Sequence, residues 1–312
     1  MADQPTHLPP SELGTKEYWE TFYARTLSHL TTKTPETDHP ANPESQDPSN
    51  EDTDPDSDAD DDSDPGTSWF SEHNAPEKVL DFLTDDEFPL APANTFPSSP
   101  STKWNGKVLD DQPKVLDLGT GNGSQLALLR KKGGYRGEMV GVDYSRQSVE
   151  LARALQRGRG HSAYRSDSDS DSEEDEDEDG AEAQTEGGTQ IRFEEYDILN
   201  PVPKDTLDWF PRANGGFDIV LDKGTFDAIS LSEEMVAEKR VCERYPGVVV
   251  GLVREGGFLV VTSCNWTEEE IVRWFVDGTK GELKVWGRVE YPRFRFGGKE
   301  GQGVCTVCFQ RS

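Results

Sequence analysis

The stretch VLDLGTGNGSQLALL at residues 115–129 decides the fold of this chain. Its first four residues, VLDL, form the short apolar pattern of a buried strand, and a helical pattern runs from Gln125 to Lys132. Between them lie Gly119, Gly121 and Gly123, in a turn where missing side chains allow a ligand to approach the backbone. A strand, a glycine-rich turn and a helix in this order predict one unit of an α/β sheet that binds a ligand at its edge.

Strand and helix patterns alternate through the rest of the chain. Helical patterns also occupy 145–156 and 267–275, so we predict a Rossmann-like α/β fold with a mostly parallel sheet and helices on both faces. The predicted strands are 115–118, 139–142, 191–195, 217–221, 257–262 and 304–309. A further strand at 283–291 is joined to the last one by the glycine-rich loop FGGKEGQG, which is too short for a helix, so these two should pair antiparallel. A seven-stranded sheet with such an antiparallel C-terminal hairpin is the layout of the class I methyltransferases.

Most of the acidity of the chain lies in two short blocks. The 312 residues carry a formal net charge of −29, and residues 51–64 and 166–179 hold nine and ten acidic side chains. Blocks of this composition bury too little apolar surface to fold. We therefore expect disordered insertions around them, and a third, partly ordered insertion at 91–113. The predicted organisation is an N-terminal helical cap at 1–30, an acidic insertion at 31–63 and a methyltransferase domain at 64–312 that contains the acidic insertion 158–189.

The chain shows no targeting or membrane-spanning pattern. Its N-terminus, MADQPTHLPP, lacks the basic and apolar segments of a signal peptide, and no run of about 18 apolar residues occurs. We expect a cytoplasmic protein, or one that also enters the nucleus, that acts as a monomer without a membrane partner. The lone C-x-x-C of Cys305 and Cys308 lies in a strand pattern without a second cysteine pair or a nearby histidine. Ordinary core cysteines are therefore expected there, and no metal site.

Four acidic residues mark one edge of the predicted sheet. In an open α/β sheet, ligands bind beyond the carboxyl ends of the strands, where the winding direction reverses. The first four predicted strands end at or near Asp117, Asp143, Asp197 and Asp222. The ligand site is therefore expected at this edge.

The spacing of the glycine loop separates two classes of nucleotide ligand. A dinucleotide fingerprint requires a glycine at position 124, where this chain has Ser124, and an acid about 20 residues further on. An acid followed by three alternating glycines, and later by GVDYS, is instead typical of folds that bind S-adenosylmethionine, and we predict this cofactor. The Asp143 carboxylate can accept from both ribose hydroxyls, and Tyr144 can cover one adenine face. A helix N-cap is the alternative role of Asp143.

Three further positions are candidates for contact with the cofactor. Asp197 and Ile198 follow the third strand and would meet the amino group and the ring of adenine. An ordinary turn aspartate is the alternative for Asp197. Asp117 is expected to order the glycine loop or to bind the amino group of the cofactor.

Four motifs in a fixed order resemble one family, the elongation factor 1-alpha lysine methyltransferases of eukaryotes. They are VLDLGTGNG, GVDYS, DKGTFDAISL at 222–231 and TSCNWT at 262–267. The segments SELGTKEYWETFYARTL at 11–27, WFSE at 69–72 and FRFGGKEGQGVCTVCFQ at the C-terminus also resemble that family. The chain departs from the family pattern in its acidic insertions and in WFSE, where WFGE is usual.

This resemblance implies S-adenosylmethionine-dependent methylation of a lysine of elongation factor 1-alpha. The turn that follows the fourth strand, with Asp222, Thr225, Phe226 and Asp227, would then meet the substrate. The two aspartates would hold the arriving lysine ammonium or the amino group of the cofactor. Lys223 receives no role at this stage.

Aromatic residues near the N-terminus are expected to complete the site. Tyr18, Trp19 and Trp69 would wall the substrate channel together with Phe226, and Trp19 would also cap the cofactor. The alternative for the N-terminal aromatics is an amphipathic helix that only packs on the sheet. Both functions are compatible with one helix face.

Other functions fit the sequence less well. A nucleic-acid amino-methyltransferase is expected to carry a [DNS]-P-P-[YFW] turn where this chain has Asp222 to Thr225, and no basic patch for a phosphate backbone occurs, so no direct nucleic-acid contact is expected. An arginine methyltransferase would place paired glutamates closer to the fourth strand than Glu233 and Glu234. A small-molecule methyltransferase and a non-catalytic acidic binding protein on the same scaffold remain as alternatives.

Overall fold

The computed structural model describes residues 6–32, 70, 73–95, 112–158, 164, 190–296 and 299–312. Except for their margins and Tyr164, the two predicted acidic insertions lie outside the described residues. Trp69 and most of the third predicted insertion, 91–113, also lie outside them. The domain boundaries expected from the sequence stay predictions.

Seven of the strands assigned in the described part of the chain form one sheet. They are β1 (Val115–Leu118), β2 (Met139–Asp143), β3 (Arg192–Glu195), β4 (Phe217–Lys223), β7 (Val253–Ser263), β8 (Leu283–Val289) and β11 (Cys305–Arg311). The other strands form two small hairpins, β5 (Met235–Val236) with β6 (Lys239–Arg240) and β9 (Arg293–Phe296) with β10 (Lys299–Gln302).

The α-helices of the described residues include the three that the sequence patterns predicted. They are α1 (Lys16–Thr32), α2 (Ala75–Thr84), α3 (Pro92–Thr95), α4 (Ser124–Lys131), α5 (Arg146–Gly158), α6 (Thr225–Ser230), α7 (Val241–Val249) and α8 (Glu268–Gly278). Helices α4, α5 and α8 confirm those three predictions. Helix α8 begins with a capping box in which Thr267 and Glu270 satisfy each other's backbone N–H groups.

The strand order across the sheet is β3, β2, β1, β4, β7, β11, β8. All pairs from β3 to β7 are parallel, and β11 runs antiparallel to both of its neighbours. The predicted Rossmann-like α/β fold with an antiparallel C-terminal hairpin is therefore confirmed. The winding direction reverses between β1 and β4, which places the expected ligand site beyond their carboxyl ends.

Successive strand residues point to opposite sides of the sheet, and helices cover both sides, so both faces are buried. Leu116 and Val220 pack in one hydrophobic cluster, which also receives apolar residues of α6, α7 and α8. Leu221 and Val260 pack in the other, with residues of α2, α4 and α5. This burial on two faces explains why the strands read as continuous apolar runs.

The two cysteines of the C-x-x-C pattern lie on opposite faces of β11. Cys305 packs in the cluster that holds Leu116, and Cys308 packs in the cluster that holds Leu221. Both thiols are buried. The prediction of ordinary core cysteines is confirmed.

Two hairpins were not predicted from the sequence. The β9 and β10 pair lies inside the glycine-rich loop that joins β8 to β11. The β5 and β6 pair turns through Ala237 and Glu238, whose φ angles of 52° and 66° lie in the left-handed region. A tight two-residue hairpin of type I′ needs positive φ at both turn positions, and glycine or asparagine is usual there. Ala-Glu therefore gave no turn signal.

No helix among the described residues is long and apolar enough to cross a bilayer. Within the same residues, no group of three or more His, Cys, Asp or Glu side chains is arranged to hold a metal ion.

Helix α1 packs along α5 through apolar and polar contacts. Tyr23 and Leu151 belong to one small hydrophobic cluster, which Trp19 and Phe22 extend. The Glu20 carboxylate accepts hydrogen bonds from the backbone N–H groups of Arg146 at 3.0 Å and Gln147 at 3.4 Å. These N–H groups belong to the first turn of α5 and have no partner within the helix, so Glu20 caps α5 from another element.

We expect Glu20→Ala to weaken the docking of α1 on α5. Loss of a capping group costs about 1 kcal/mol, which corresponds to about fivefold faster local opening. Hydrogen exchange of the α1 amides in the absence of ligand measures this opening. The matched control is Glu17→Ala, which removes the same charge from an exposed position of α1. Equal exchange rates in the two variants would contradict the capping role.

Candidate active site

A cavity of about 830 Å³ opens at the carboxyl edge of the sheet, on the line between β1 and β4. Its wall contains the glycine loop after β1, the end of β2, the turn after β3 and the turn after β4. The N-terminal segment, including the start of α1, covers one side. The site predicted from the strand ends therefore coincides with a cavity, and its volume lies in the range of small-molecule sites.

The three glycines of the loop all have positive φ, with values of 58°, 56° and 76° at Gly119, Gly121 and Gly123. Gly119 and Gly121 line the cavity. A side chain at 119 would overlap the hydroxyl of Thr225, and one at 121 would lie 3.1 Å from the Tyr23 hydroxyl. The backbone itself therefore forms the cavity wall at these two glycines, because Thr225 and Tyr23 occupy the space that a side chain would need.

Gly123 serves a different purpose from the other two glycines. It is the N-cap of α4, and a Cβ at this position would lie 2.5 Å from Phe193 and 2.5 Å from the Tyr164 hydroxyl. It is not among the residues that line the cavity. The structure therefore shows a packing role for Gly123, and its expected contact with the cofactor stays a prediction.

Asp117 is buried and accepts a hydrogen bond of 2.8 Å from the Thr120 hydroxyl. Burial raises the pKa of this carboxyl to about 6. Thr120 lines the cavity, whereas Asp117 lies behind it. Of the two roles expected for Asp117, the contact with Thr120 supports ordering of the glycine loop.

Asp143 ends β2 and lines the cavity with a buried carboxylate. Its Oδ1 accepts from the Ser145 N–H at 2.9 Å. Its Oδ2 accepts from the Ser148 hydroxyl at 2.7 Å and from the Gly121 N–H at 3.2 Å. A carboxylate offers about four acceptor positions, so Oδ1 keeps one for a ribose hydroxyl. Burial raises the pKa of Asp143 to about 6.

Tyr144 and Trp19 line the same end of the cavity as Asp143. The Tyr144 hydroxyl donates to the carbonyl of Thr15 at 3.2 Å, and the ammonium of Lys16 lies 5.7 Å from its ring centre. The Trp19 indole donates to the carbonyl of Leu13 at 2.8 Å and stacks near Tyr23. Packing and cavity lining, the two alternatives for the N-terminal aromatics, therefore occur on one helix face.

Asp197 and Ile198 line the cavity beyond β3. The Asp197 carboxylate accepts from the N–H groups of Leu199 and Asn200 and from the Asn200 side chain. It thus orders its own turn, which is the alternative that the sequence left open, and it still faces the cavity. Ile198 is buried and supplies an apolar wall.

The turn after β4 contains a buried carboxylate that does not face the cavity. Asp222 is 1% exposed, and its Oδ1 accepts from the N–H groups of Thr225 at 3.0 Å and Phe226 at 3.1 Å. Its Oδ2 accepts from the Tyr245 hydroxyl at 2.6 Å. Burial raises the pKa of Asp222 to about 7. The expectation that Asp222 holds the substrate ammonium or the amino group of the cofactor is therefore corrected, since all of these bonds point into the protein and shape the turn.

Phe226 is also turned away from the cavity. It is 1% exposed and lies in an aromatic cluster with Tyr245, Trp266, Trp274 and Phe275. The expectation that it walls the substrate channel is corrected for the same reason, because its ring fills the core between α6, α7 and α8.

Asp227 connects the two motifs that carry the family resemblance. Its side chain is fully buried and accepts from the Ser263 hydroxyl at 2.5 Å and from the Cys264 N–H at 2.8 Å. Nearby, the Trp266 indole donates to the Ser230 hydroxyl at 3.1 Å. DKGTFDAISL and TSCNWT therefore form one structural unit. This corrects the expectation that Asp227 holds the substrate ammonium or the amino group of the cofactor.

Thr225 is the predicted catalytic residue that the structure does place on the cavity. Its hydroxyl donates to the carbonyl of Leu118 at 2.6 Å, which joins α6 to the end of β1. Lys223 and Gly224 precede it and line the cavity as well. Phe70 lies on the same side, and the ammonium of Lys223 is 5.1 Å from its ring centre.

Tyr23 lines the cavity over Gly121, so this N-terminal aromatic both packs on α5 and faces the site. Two other residues of the site were not predicted from the sequence: Ser148 binds Asp143, and Tyr245 binds Asp222. Tyr245 lies 23 positions from its partner, so no local pattern connects them. Only Ser148 had a local signal, since it lies five residues after Asp143 in the first turns of α5.

The described residues fit S-adenosylmethionine, the cofactor predicted from the sequence. Backbone at two glycines forms the wall, Ile198 and Tyr144 offer apolar faces for an adenine, and Asp143 keeps an acceptor position for the ribose. These roles stay predictions for the individual residues.

Known proteins resemble this chain over almost its entire length. Residues 109–165 match a family profile described as a methyltransferase domain. The Saccharomyces cerevisiae protein-lysine N-methyltransferase EFM4 is 31% identical over 303 residues, which cover 97% of this chain and 96% of that protein. The Schizosaccharomyces pombe protein-lysine N-methyltransferase efm4 is 30% identical over 308 residues, with 97% and 95% coverage.

A human protein is more distantly similar. It is named EEF1A lysine methyltransferase 2 and is 26% identical over 302 residues, which cover 97% of this chain and 88% of the human one. The similarity to these proteins therefore extends beyond the glycine loop to 97% of the chain.

We expect Asp143→Asn to weaken S-adenosylmethionine binding by about ten- to a hundredfold, since a bond to a charged acceptor contributes about 1.5–3 kcal/mol. Asparagine keeps one acceptor oxygen and leaves fewer buried donors unpaired than alanine does. Titration calorimetry measures the affinity, and thermal unfolding checks the fold. Asp208→Asn, at an exposed acid away from the cavity, is the charge control.

The pH dependence of binding gives an independent reading of the same variant. Protonation of Asp143 near pH 6 removes the charged acceptor, so the affinity of the wild type should fall as the pH drops through 6. The Asp143→Asn protein should lack this component. A variant with wild-type affinity, or one with the same loss of affinity below pH 6, would contradict the ribose role.

Proposed function

This chain belongs to the family of protein-lysine N-methyltransferases, and from that premise we propose that its substrate is a lysine of translation elongation factor 1-alpha. The observation that supports this choice of substrate is the similarity, over 97% of the chain, to the human protein whose name includes that factor. The motif DKGTFDAISL supports it, because its residues Lys223, Gly224 and Thr225 line the cavity next to the glycine loop. The motif TSCNWT packs behind this wall, where the Cys264 N–H donates to Asp227 and the Trp266 indole donates to Ser230.

The cofactor of the reaction is S-adenosylmethionine, which supplies a methyl group on a sulfonium. In the proposed arrangement Asp143 and Tyr144 hold the ribose and adenine, Ile198 packs against the ring, and Asp197 lies beside it. Tyr23 of α1 closes the cavity over Gly121, and Trp19 lines the cavity beside Tyr23. These residues bind and orient the cofactor.

The lysine substrate has to react as a free amine. With an unperturbed lysine pKa of about 10.4, selection of the neutral form at pH 7.4 costs about 4 kcal/mol. A cavity walled by Trp19, Phe22, Phe70 and Ile229 removes water from the amine and so lowers its pKa. Alignment of the two reactants in a dry site can contribute about 7–11 kcal/mol to lowering the barrier.

The rim of the cavity is acidic. Glu12, Glu17, Glu233 and Glu234 line it and are exposed to solvent. Carboxylates at the entrance favour the encounter with a basic protein surface and an approaching lysine. Thr225 and the buried acids behind it keep the turn after β4 in a fixed position beside this entrance.

We expect purified elongation factor 1-alpha to incorporate label from methyl-labelled S-adenosylmethionine when it is incubated with this enzyme. Peptide mass spectrometry should locate the label on a lysine, and the Asp143→Asn enzyme should show strongly reduced labelling. Label on another protein but not on the factor would contradict the proposed substrate. Cofactor binding without transfer to any protein would favour a small-molecule acceptor instead.

The acidic rim makes a separate prediction about the protein substrate. Combining Glu233→Gln with Glu234→Gln should raise the KM for that substrate by about two- to fivefold and weaken its dependence on salt, because exposed charge pairs are weak and screened. Cofactor affinity should not change. The control combines Asp86→Asn and Glu87→Gln, an exposed pair away from the cavity. The same rise in KM in both double variants would contradict a role for the rim.

A further inference from the structure

Lys223 lines the cavity and has no part in the arrangement described above. It is the last residue of β4, in the switch region between β1 and β4. Its backbone pairs with Thr262 of β7, and the next N–H, that of Gly224, donates to the Thr262 carbonyl at 3.0 Å. The origin of its side chain is therefore fixed by the sheet.

The ammonium of Lys223 has no carboxylate within ion-pair distance among the described residues. It lies over the ring of Phe70, at 5.1 Å from the ring centre. A cation held by an aromatic face keeps its capacity for an anionic ligand, since the ring takes none of its three N–H donors in a conventional hydrogen bond.

Two lysines line the cavity among the described residues, and they are associated with different parts of its wall. Lys16 lies over the Tyr144 ring, next to the predicted ribose and adenine positions. Lys223 lies next to Gly224 and Thr225, and Thr225 bonds to the end of β1 where the glycine loop starts. An elongated ligand with its nucleoside near Tyr144 would therefore extend its other end towards Lys223.

The cofactor carries an amino acid at the end opposite its adenosine. This amino acid has an ammonium and a carboxylate. Lys223 precedes Gly224 and Thr225 in the wall at this end of the cavity, so the wall offers a cation to the carboxylate. Asp117 lies behind the glycine loop, where its carboxylate accepts from the Thr120 hydroxyl, and it does not line the cavity.

We propose that Lys223 binds the α-carboxylate of S-adenosylmethionine and of its product, S-adenosylhomocysteine. The side chain then acts as a binding residue for the cofactor, and it orients the amino-acid end of the ligand while Asp143 holds the nucleoside end. This inference concerns the cofactor alone and does not depend on which lysine or which protein is methylated.

A pair of ligands tests the assignment without catalysis. S-adenosylhomocysteine has the carboxylate, and its decarboxylated analogue, 5′-deoxy-5′-(3-aminopropylthio)adenosine, lacks only that group. Titration calorimetry gives the affinity of both ligands for the wild type and for Lys223→Met, which together form a double-mutant cycle.

Lys223→Met should bind S-adenosylhomocysteine at least about tenfold more weakly than the wild type, which corresponds to about 1.4 kcal/mol. Its affinity for the decarboxylated analogue should stay within about twofold of the wild-type value. Lys223→Arg should retain most of the affinity for S-adenosylhomocysteine, because it keeps the charge. The control Lys16→Met removes the other cavity lysine and should not discriminate between the two ligands.

Two results would overturn the proposal. An equal loss of affinity for both ligands in Lys223→Met would show that the lysine maintains the shape of the cavity and does not bind the carboxylate. Unchanged affinity for S-adenosylhomocysteine would show that its charge serves something other than the carboxylate, such as repulsion of the substrate ammonium. Binding of the decarboxylated analogue also verifies that each variant is folded.

Discussion

The buried carboxylate of Asp143 is the contact on which the cofactor end of the site depends. Its donors come from the glycine loop at Gly121, from the backbone of Ser145 and from α5 at Ser148. One charged group thus fixes a loop, the end of a strand and the start of a helix relative to each other. Helix α1 packs on that same α5, so the aromatic cover of the cavity also depends on this arrangement.

The other end of the site is organised by acids that the solvent does not reach. Asp222 and Asp227 bind backbone and hydroxyl donors of the turn, of Tyr245 and of the end of β7. Their role is to position Thr225, Gly224 and Lys223 at the cavity. A displacement reaction between an amine and a sulfonium needs alignment more than proton transfer, so a rigid wall is the contribution that such a turn can make.

These buried acids have an energetic consequence. Burial raises the pKa of Asp143 to about 6 and of Asp222 to about 7. A pKa raised in the folded state means that the associated stability is complete below the unfolded value near 4 and is lost as the pH rises through 6 to 7. At neutral pH the burial of these carboxylates in their charged form therefore costs stability, and their hydrogen bonds offset part of that desolvation cost.

The sequence predicted the sheet and the location of the site because both follow from short-range patterns. VLDL, the glycine loop and GVDYS place Asp117 and Asp143 at one edge, and the structure agrees. The orientation of individual side chains was less predictable. DKGTFDAIS begins a helix at Thr225, and helical geometry turns Phe226 and Asp227 inward while Thr225 faces the cavity. Their partners, Tyr245 and Ser263, lie far along the chain, so only the fold brings them together.

The contact between Gly119 and Thr225 limits how this site can diversify. The Thr225 hydroxyl occupies the space that a side chain at 119 would need, although more than 100 positions separate the two residues. The glycine loop after β1 and the turn after β4 are therefore packed against each other, and a substitution in either one requires a compensating change in the other. The start of the β5 and β6 hairpin is less constrained, since Met235 is 55% exposed and follows Glu234 at the rim. The end of the hairpin is tied down, where the Arg240 guanidinium donates to the carbonyls of Leu8, Ser230 and Ser232. New protein specificities would therefore evolve more readily through this hairpin than through the turn that carries the most recognisable sequence.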